Sequence, residues 1–228
     1  NRFKLITNRT TPSFIAFERF IKNHLTMSID DIFIDINKII EEDLDINVKI
    51  LYIDGSKFEA NANKMTFVWK KSSQKYYQNT WKKFIKLVKK LNRYFSREGI
   101  EVYYSLIKEP NIAYMLEIAD RVEKYMEANN IEFVHGKRKK KSEIQKLYDE
   151  LKEYAIRISK YIMHFDICGD RNSFSKTDPD ATFMKMKYDY YNHTNVFKPG
   201  YNVQFGISDG FIRNVYLSSD CNDLPTYI

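Results

Sequence analysis

Apolar residues at helical spacing between residues 76 and 165 restrict the fold more than any other feature of the sequence. Along residues 81–95, one predicted helical face carries Trp81, Phe84, Ile85, Val88, Leu91 and Phe95. Along residues 144–165, an apolar residue recurs every seven positions, at Ile144, Leu151, Ile158 and Phe165. Such spacings bury a stripe along a helix, so both stretches are predicted to be helical. The whole segment is expected to be a helical excursion with its own core, containing a helical hairpin or a short coiled coil.

Aromatic residues contribute to the second of these stripes. Tyr148, Tyr154 and Tyr161 fill the seam beside the seven-residue repeat. The aromatic stripe is therefore expected to belong to the core, rather than to form a platform on which nucleic-acid bases stack.

Proline residues and capping residues predict three further helices. The predicted ranges are 12–25, about 28–42 and about 110–129. In the second of them, Ser28 is the expected N-cap, and Asp30 and Asp31 lie in the first turn, where carboxylates complement the helix dipole. The charges of the first two helices are mixed and mark no recognition helix, so ordinary helix packing is expected of them.

Two groups of cations are candidates for contact with a polyanion. Opposite the apolar face of residues 81–95 lie Lys82, Lys83, Lys86, Lys89, Lys90 and Arg93. The run Lys137, Arg138, Lys139, Lys140 and Lys141 is predicted to be an exposed loop, because like charges repel one another. Each group is interpreted either as an ordinary solvated surface, which is simpler, or as a sequence-independent phosphate contact. The net charge of +7 favours a polyanionic partner without establishing one.

Residues 46–63 and 196–219 are predicted to form strands of one sheet. The first range contains an apolar run rich in Val, Ile and Tyr, which is typical of a buried strand. In the second range, Tyr201, Val203, Phe205 and Ile207 alternate with polar residues. Asp209-Gly210 then predicts a hairpin turn into a returning strand.

Asp54 follows the apolar run of the first strand and is expected at its end. On spacing alone, two interpretations are open for this carboxylate. It either forms a turn beside Gly55, which is the simpler interpretation, or it binds a hard cation such as Mg²⁺.

A polar segment precedes the predicted hairpin. Within it, Asp178 and Pro179 match an N-cap followed by proline at the first helical position. A helix containing Phe183, Met184 and Met186 is therefore predicted.

Cysteine usage and the length of apolar runs restrict the expected compartment. Cys168 and Cys221 lack the spacing of zinc ligands or of a disulfide framework, which fits a reducing cytoplasm. No apolar run approaches the roughly 20 residues needed to cross a bilayer, and no signal peptide is recognised, so neither secretion nor a membrane is expected. Because the chain opens on Asn1 rather than Met, it is expected to be a piece of a longer protein.

Three stretches together resemble one protein family. They are YIDGSKFEANANKMTFVWKK at 52–71, SKTDPDATFMKMK at 175–187 and KPGYNVQ at 198–204. They are similar to the DDE transposases of bacterial insertion sequences, in the subgroup with a helical insertion after the first core strand. RTTPSFIAFERF at 9–20 similarly resembles the end of the N-terminal helical domain of that family.

The resemblance implies an α+β fold, with a partial ribonuclease-H-like sheet interrupted by a large, mostly helical insertion. The implied divisions are 1–45 for N-terminal helices, 46–66 for the first core strand, 67–195 for the insertion and 196–228 for a core hairpin. It implies that Asp54 is the first of three acidic residues that hold two Mg²⁺ or Mn²⁺ ions for phosphoryl transfer. The implied partners are the DNA of the transposon ends and further copies of the chain in a homo-oligomer, in the bacterial cytoplasm and nucleoid.

The sequence departs from the family pattern in its other catalytic positions. The sequence motifs that surround the second catalytic Asp and the catalytic Glu of the family do not occur before Ile228. The chain is therefore expected to be catalytically inactive and to bind metal only weakly, since one carboxylate holds a divalent ion poorly. Two alternatives remain open: a non-catalytic, basic nucleic-acid-binding module, and a helical interaction protein that dimerises through residues 144–165.

Overall fold

Helices and strands occur in successive groups along the chain in a computed structural model that describes residues 12–47, 49–136, 139–187 and 196–223. The helices are α1 (Phe14–Phe20), α2 (Ile29–Asp43), α3 (Lys70–Arg97), α4 (Ile112–Ala128) and α5 (Glu143–Cys168), with a π-helical turn at Ile21–Leu25. The strands are β1 (Tyr52–Glu59), β2 (Phe67–Trp69), β3 (Ser173–Ser175), β4 (Thr182–Lys185), β5 (Phe197–Ser208) and β6 (Phe211–Ser218). The fold is α+β, as predicted.

The described residues fall into two compact units. The first unit is drawn from Asn1–Ser56 with Gln204–Tyr216, and the second from Lys57–Val203 with Leu217–Ile228. The main sheet has the order β1-β5-β4, with β6 also paired to β5, and β2 pairs with β3 in a separate two-stranded sheet. Residues 46–63 and 196–219 therefore contribute to one sheet, as predicted.

The core of the second unit lies among α3, α4 and α5. The predicted apolar face of α3 is buried there, and Phe84, Val88 and Leu91 are fully inaccessible to solvent. The seven-residue repeat of α5 lies in the same core, where Ile144, Leu151 and Ile158 are also inaccessible. The predicted helical segment with its own core is confirmed, and three helices pack together to form that core.

Two side-chain amides, one buried and one partly buried, hold the connections between these helices. The amide of Gln145 in α5 donates to the carbonyl of Val134 at 2.9 Å and accepts from its N–H at 3.1 Å. Asn92 in α3 makes the same pair of contacts with the backbone of Tyr104, both at 2.8 Å. Backbone groups outside helices and strands need such partners when they are buried, so these amides fix two extended connections against the helices.

The first unit contains α1 and α2, whose apolar faces are largely exposed among the described residues. No residue of α1 is buried, and Asn37 is the only buried residue of α2. Arg213 of β6 attaches α2 to the hairpin by donating to the carbonyl of Asn37 at 3.1 Å and to the carboxylate of Glu41. The predicted helices are confirmed, but their predicted packing along the apolar faces is not seen.

The predicted helix after Asp178 is wrong. The segment containing Phe183 and Met184 is the strand β4, which pairs antiparallel with β5. The carbonyl of Asp178 accepts from the N–H of Ala181, which closes a turn before the strand begins. Pairing of β4 with the backbone of β5 therefore overrides the local capping signal.

The side chains of β5 are distributed differently from the predicted pattern. The polar residues Asn202 and Gln204 are buried, whereas Phe205 and Ile207 are partly exposed. The amide of Asn202 donates to the carboxylate of Asp223 at 2.7 Å, which satisfies a polar group at a buried position. The hairpin itself is confirmed, since Asp209 and Gly210 both adopt positive φ between β5 and β6.

Substitution of Leu91 by Ala will lower the free energy of unfolding by about 2–5 kcal/mol, because it removes buried methyl groups and leaves a cavity. Leu116→Ala in α4 is the matched control, since Leu116 is 55% exposed while Leu91 is fully buried. The control is expected to cost less than about 0.5 kcal/mol. Urea denaturation measures both, and equal losses would contradict the helical core described above.

A buried histidine makes stability depend on pH. Nδ1 of His164 in α5 lies 3.0 Å from the hydroxyl of Ser73 in α3. Burial lowers the pKa of His164 below its ordinary value, and the positive charges of Lys160 and Lys176 lower it further. The folded protein therefore holds the imidazole neutral, and the unfolded chain takes up a proton at a higher pH than the folded chain.

The stabilisation from neutral His164 will be fully present above the ordinary histidine pKa of about 6.5. It will decrease as the pH falls through that value towards the lower pKa of the folded state. We expect His164→Gln to flatten this part of the pH profile of unfolding in urea. Identical profiles for the two proteins between about pH 7.5 and 5 would contradict the prediction.

Candidate nucleic-acid interface

The outer face of α3 carries a dense group of exposed cations. Helix α3 contains no Asp or Glu, and its predicted cations Lys82, Lys83, Lys86, Lys89, Lys90 and Arg93 are all exposed. They lie opposite the apolar face, because the 3.6-residue period separates the two sets of positions by about half a turn. Packing of the apolar face on α4 and α5 thus determines that the cations point to solvent.

These cations have no counter-charges in the part of the chain that the structure describes. Within it, none of the six lies within salt-bridge distance of a carboxylate, whereas Arg97 at the end of the helix contacts Glu143 at 2.7 Å. Several lysines on other helices are paired along the surface, as in the contact of Lys124 with Asp120. The outer face of α3 therefore presents an uncompensated positive field that is suited to a polyanion.

The basic face is longer than the sequence prediction. Lys71 and Lys75 are also exposed and fall on the same stripe as Lys82, Lys86 and Lys89. From Lys71 to Arg93 the stripe extends for about 33 Å at 1.5 Å per residue. The prediction missed the first two lysines because it considered the charged face only along residues 81–95, whereas α3 begins at Lys70. The spacing of four and seven residues from Lys71 to Lys75 to Lys82 was the signal that could have found them. We refer to these eight cations as the basic stripe: Lys71, Lys75, Lys82, Lys83, Lys86, Lys89, Lys90 and Arg93.

A groove of about 620 Å³ lies beside the basic stripe, between α3 and α5. It is lined by Tyr76, Asn79, Thr80, Lys82, Lys83, Lys86, Arg157 and Tyr161. The rings of Tyr76 and Tyr161 are nearly parallel, with centroids 6.3 Å apart. Tyr161 is only partly buried, so its predicted place in the core is wrong. It lies at the edge of the helix pair, where the seam of α5 reaches solvent.

The run from Lys137 to Lys141 is only partly described. Lys137 and Arg138 lie outside the described residues, and Lys139 and Lys140 are exposed. The ammonium of Lys141 lies 2.6 Å from a carboxylate oxygen of Asp149 in α5. Part of this positive charge is therefore neutralised within the second unit.

Asp54 lies inside β1 and is exposed, and the structure contradicts its predicted place at the end of a buried strand. The turn interpretation is also wrong, since Gly55 continues the strand. A Cβ atom at position 55 would lie 2.6 Å from Nε2 of Gln204, so any larger residue there requires the Gln204 amide to shift. Because β1 has a neighbour only on its β5 side in the described sheet, its residues are more exposed than those of a central strand.

The described residues do not fit a two-metal centre. Among them, no group of three His, Cys, Asp or Glu side chains converges to hold an ion. Asp54 supplies one carboxylate, and Asp178, expected as an N-cap, accepts hydrogen bonds from the Tyr201 hydroxyl at 2.7 and 2.8 Å. Burial and this contact raise the pKa of Tyr201 to about 12. Asp178 therefore has a structural role, and no metal-dependent step is assigned to these residues.

No protein-family model, curated protein or solved structure matches the chain. Across the described ranges, none of the helices combines the length and the apolar content that a bilayer crossing requires. The charge and shape of the described surface are therefore the basis for assigning a function.

Asp54→Ala will leave the free energy of unfolding within about 0.5 kcal/mol of the unsubstituted value, because the side chain is exposed and not required for a turn. Asp178→Ala is the matched comparison and is expected to cost about 1 kcal/mol or more, since it removes the hydrogen-bond acceptor of Tyr201. Chemical denaturation measures both. A larger loss for Asp54→Ala than for Asp178→Ala would restore a structural role for Asp54.

Proposed function

We propose that this chain is a DNA-binding part of a DDE-type transposase, and that its basic stripe binds the phosphate backbone. The observation that carries the proposal is the uncompensated charge along α3. Eight exposed cations follow one face of a helix that contains no acidic residue. Lysine and arginine side chains in this arrangement neutralise successive phosphates and release counterions, which gives affinity without sequence readout.

The rigidity of α3 supports this assignment over an ordinary solvated surface. Its apolar face is fixed in the core by residues such as Phe84 and Leu91, which are fully buried. The cations are therefore attached to a preorganised support of about 33 Å. A solvated surface of a stable helix usually alternates acidic and basic residues at i and i+4, as α4 does with Glu117 and Arg121. The absence of acidic residues from α3 departs from that pattern.

The resemblance to DDE transposases supports the enzymatic part of the proposal. Asp54 lies on β1, beside β5, and the family would use this residue as the first of three acidic metal ligands. The same proposal includes a ribonuclease-H-like core as the fold, Mg²⁺ or Mn²⁺ as the cofactor, and transposon-end DNA as the partner. An intact enzyme of this family would also need the second Asp and the Glu, on a later strand and a later helix. Sequencing of the coding region beyond Ile228 tests this expectation, and their absence there would contradict an intact enzyme.

Duplex DNA will bind the chain with a Kd on the order of 10⁻⁴–10⁻⁶ M at physiological salt, and the affinity will fall steeply as salt rises. The triple substitution of Lys82, Lys86 and Lys89 by Gln is expected to weaken binding by at least about 10-fold at low salt. It is also expected to reduce the slope of log K against log salt by about 3, because three phosphate contacts are lost. Fluorescence anisotropy of a labelled duplex measures both quantities.

A charge-matched control separates the basic stripe from net charge. Substitution of Lys22, Lys38 and Lys124 by Gln removes the same charge, but each of these lysines already contacts a carboxylate. This control and Asp54→Ala are both expected to bind duplex DNA like the unsubstituted chain. Equal weakening by the two triple variants would show that only net charge matters, and would overturn the assignment of the basic stripe.

A further inference from the structure

We infer that the groove between α3 and α5 binds single-stranded nucleic acid, with an unpaired base stacked against Tyr76 or Tyr161. This inference rests on the proposed function, because the lysines of the groove belong to the basic stripe. It goes further by naming a second form of nucleic acid and the side chains that distinguish it from a duplex.

The two tyrosines are placed as an aromatic surface rather than as core. Tyr76 is 56% exposed and Tyr161 is partly exposed, and both line the groove. Their rings are inclined by only 24° to one another, so both present faces of similar orientation. Other aromatic residues of α3, such as Phe84 and Phe95, are fully buried or nearly so. Exposed aromatic faces are the surfaces on which unpaired bases stack.

Cations lie on both sides of this aromatic surface. Lys82, Lys83 and Lys86 line the groove from α3, and the described residues place no carboxylate within salt-bridge distance of them. Arg157 lines it from α5, where its guanidinium contacts Glu153. A strand that places a base on the tyrosines therefore has its phosphates within a positively charged channel. This combination of aromatic faces and cations is what single-stranded nucleic acid requires.

The groove distinguishes single-stranded from duplex DNA by whether the base faces are free to stack on its tyrosine rings. In a duplex, the faces of the bases are covered by neighbouring base pairs, so only phosphates are available to the lysines. In a single strand, the faces are free to stack on a tyrosine ring. Loss of the rings should therefore affect only single-stranded ligand, while loss of the lysines should affect both.

The test compares labelled oligothymidylate with a duplex of equal length by fluorescence anisotropy on the full chain. Tyr76→Ala and Tyr161→Ala are each expected to weaken binding of the single strand by about 5- to 150-fold and to leave duplex affinity within about twofold. Tyr76→Phe and Tyr161→Phe keep the ring faces and are expected to retain single-strand affinity. Circular dichroism melting confirms that each variant is folded.

Cross-linking gives a second measurement that does not depend on substitution. Oligothymidylate that contains 5-iodouracil is expected to cross-link to Tyr76 or Tyr161 on irradiation. Cross-links confined to other parts of the chain, or single-strand affinity that survives both alanine substitutions, would overturn the inference. In that outcome, normal binding of duplex DNA by the basic stripe would leave the proposed function standing. Failure to bind duplex DNA would instead overturn the proposed function itself.

Discussion

Burial of the apolar face of α3 against α4 and α5 is the interaction on which the rest of the second unit depends. Phe84, Val88 and Leu91 are removed from water there, and burial of such side chains is the main favourable contribution to folding. A helix that fixes one face in a core must present the opposite face to solvent. The exposure of the basic stripe is thus a direct consequence of core packing, which connects the stability of this unit to its surface charge.

The same packing determines the shape of the candidate site. Contact between α3 and α5 brings Tyr76 beside Tyr161 and leaves a groove at the edge of their interface. The side-chain amides of Asn92 and Gln145 attach the intervening connections to the helices, so the groove is built on fixed elements. A preorganised surface loses little conformational entropy when it binds a ligand. More of the electrostatic attraction of each phosphate contact then remains as binding free energy.

Asp54 shows how a functional resemblance and a local environment can differ. The motif around it resembles the first catalytic segment of DDE transposases, yet its carboxylate is exposed on β1 and the described residues bring no second and third ligand to it. Metal-dependent chemistry needs several oxygen ligands in one place. DNA binding needs only an exposed array of cations, and for this reason the described residues support binding more directly than catalysis.

The sequence by itself determined the long helices, the hairpin at Asp209-Gly210 and the outward direction of the basic face, since periodicity and turn chemistry are local properties. Only the tertiary structure decided that the segment after Asp178 is a strand, because pairing with β5 outweighs a local capping signal. It likewise decided that Tyr161 lies in a groove rather than in the core. Helical periodicity gives the face on which a side chain lies, whereas its burial depends on how far the neighbouring helix covers that face.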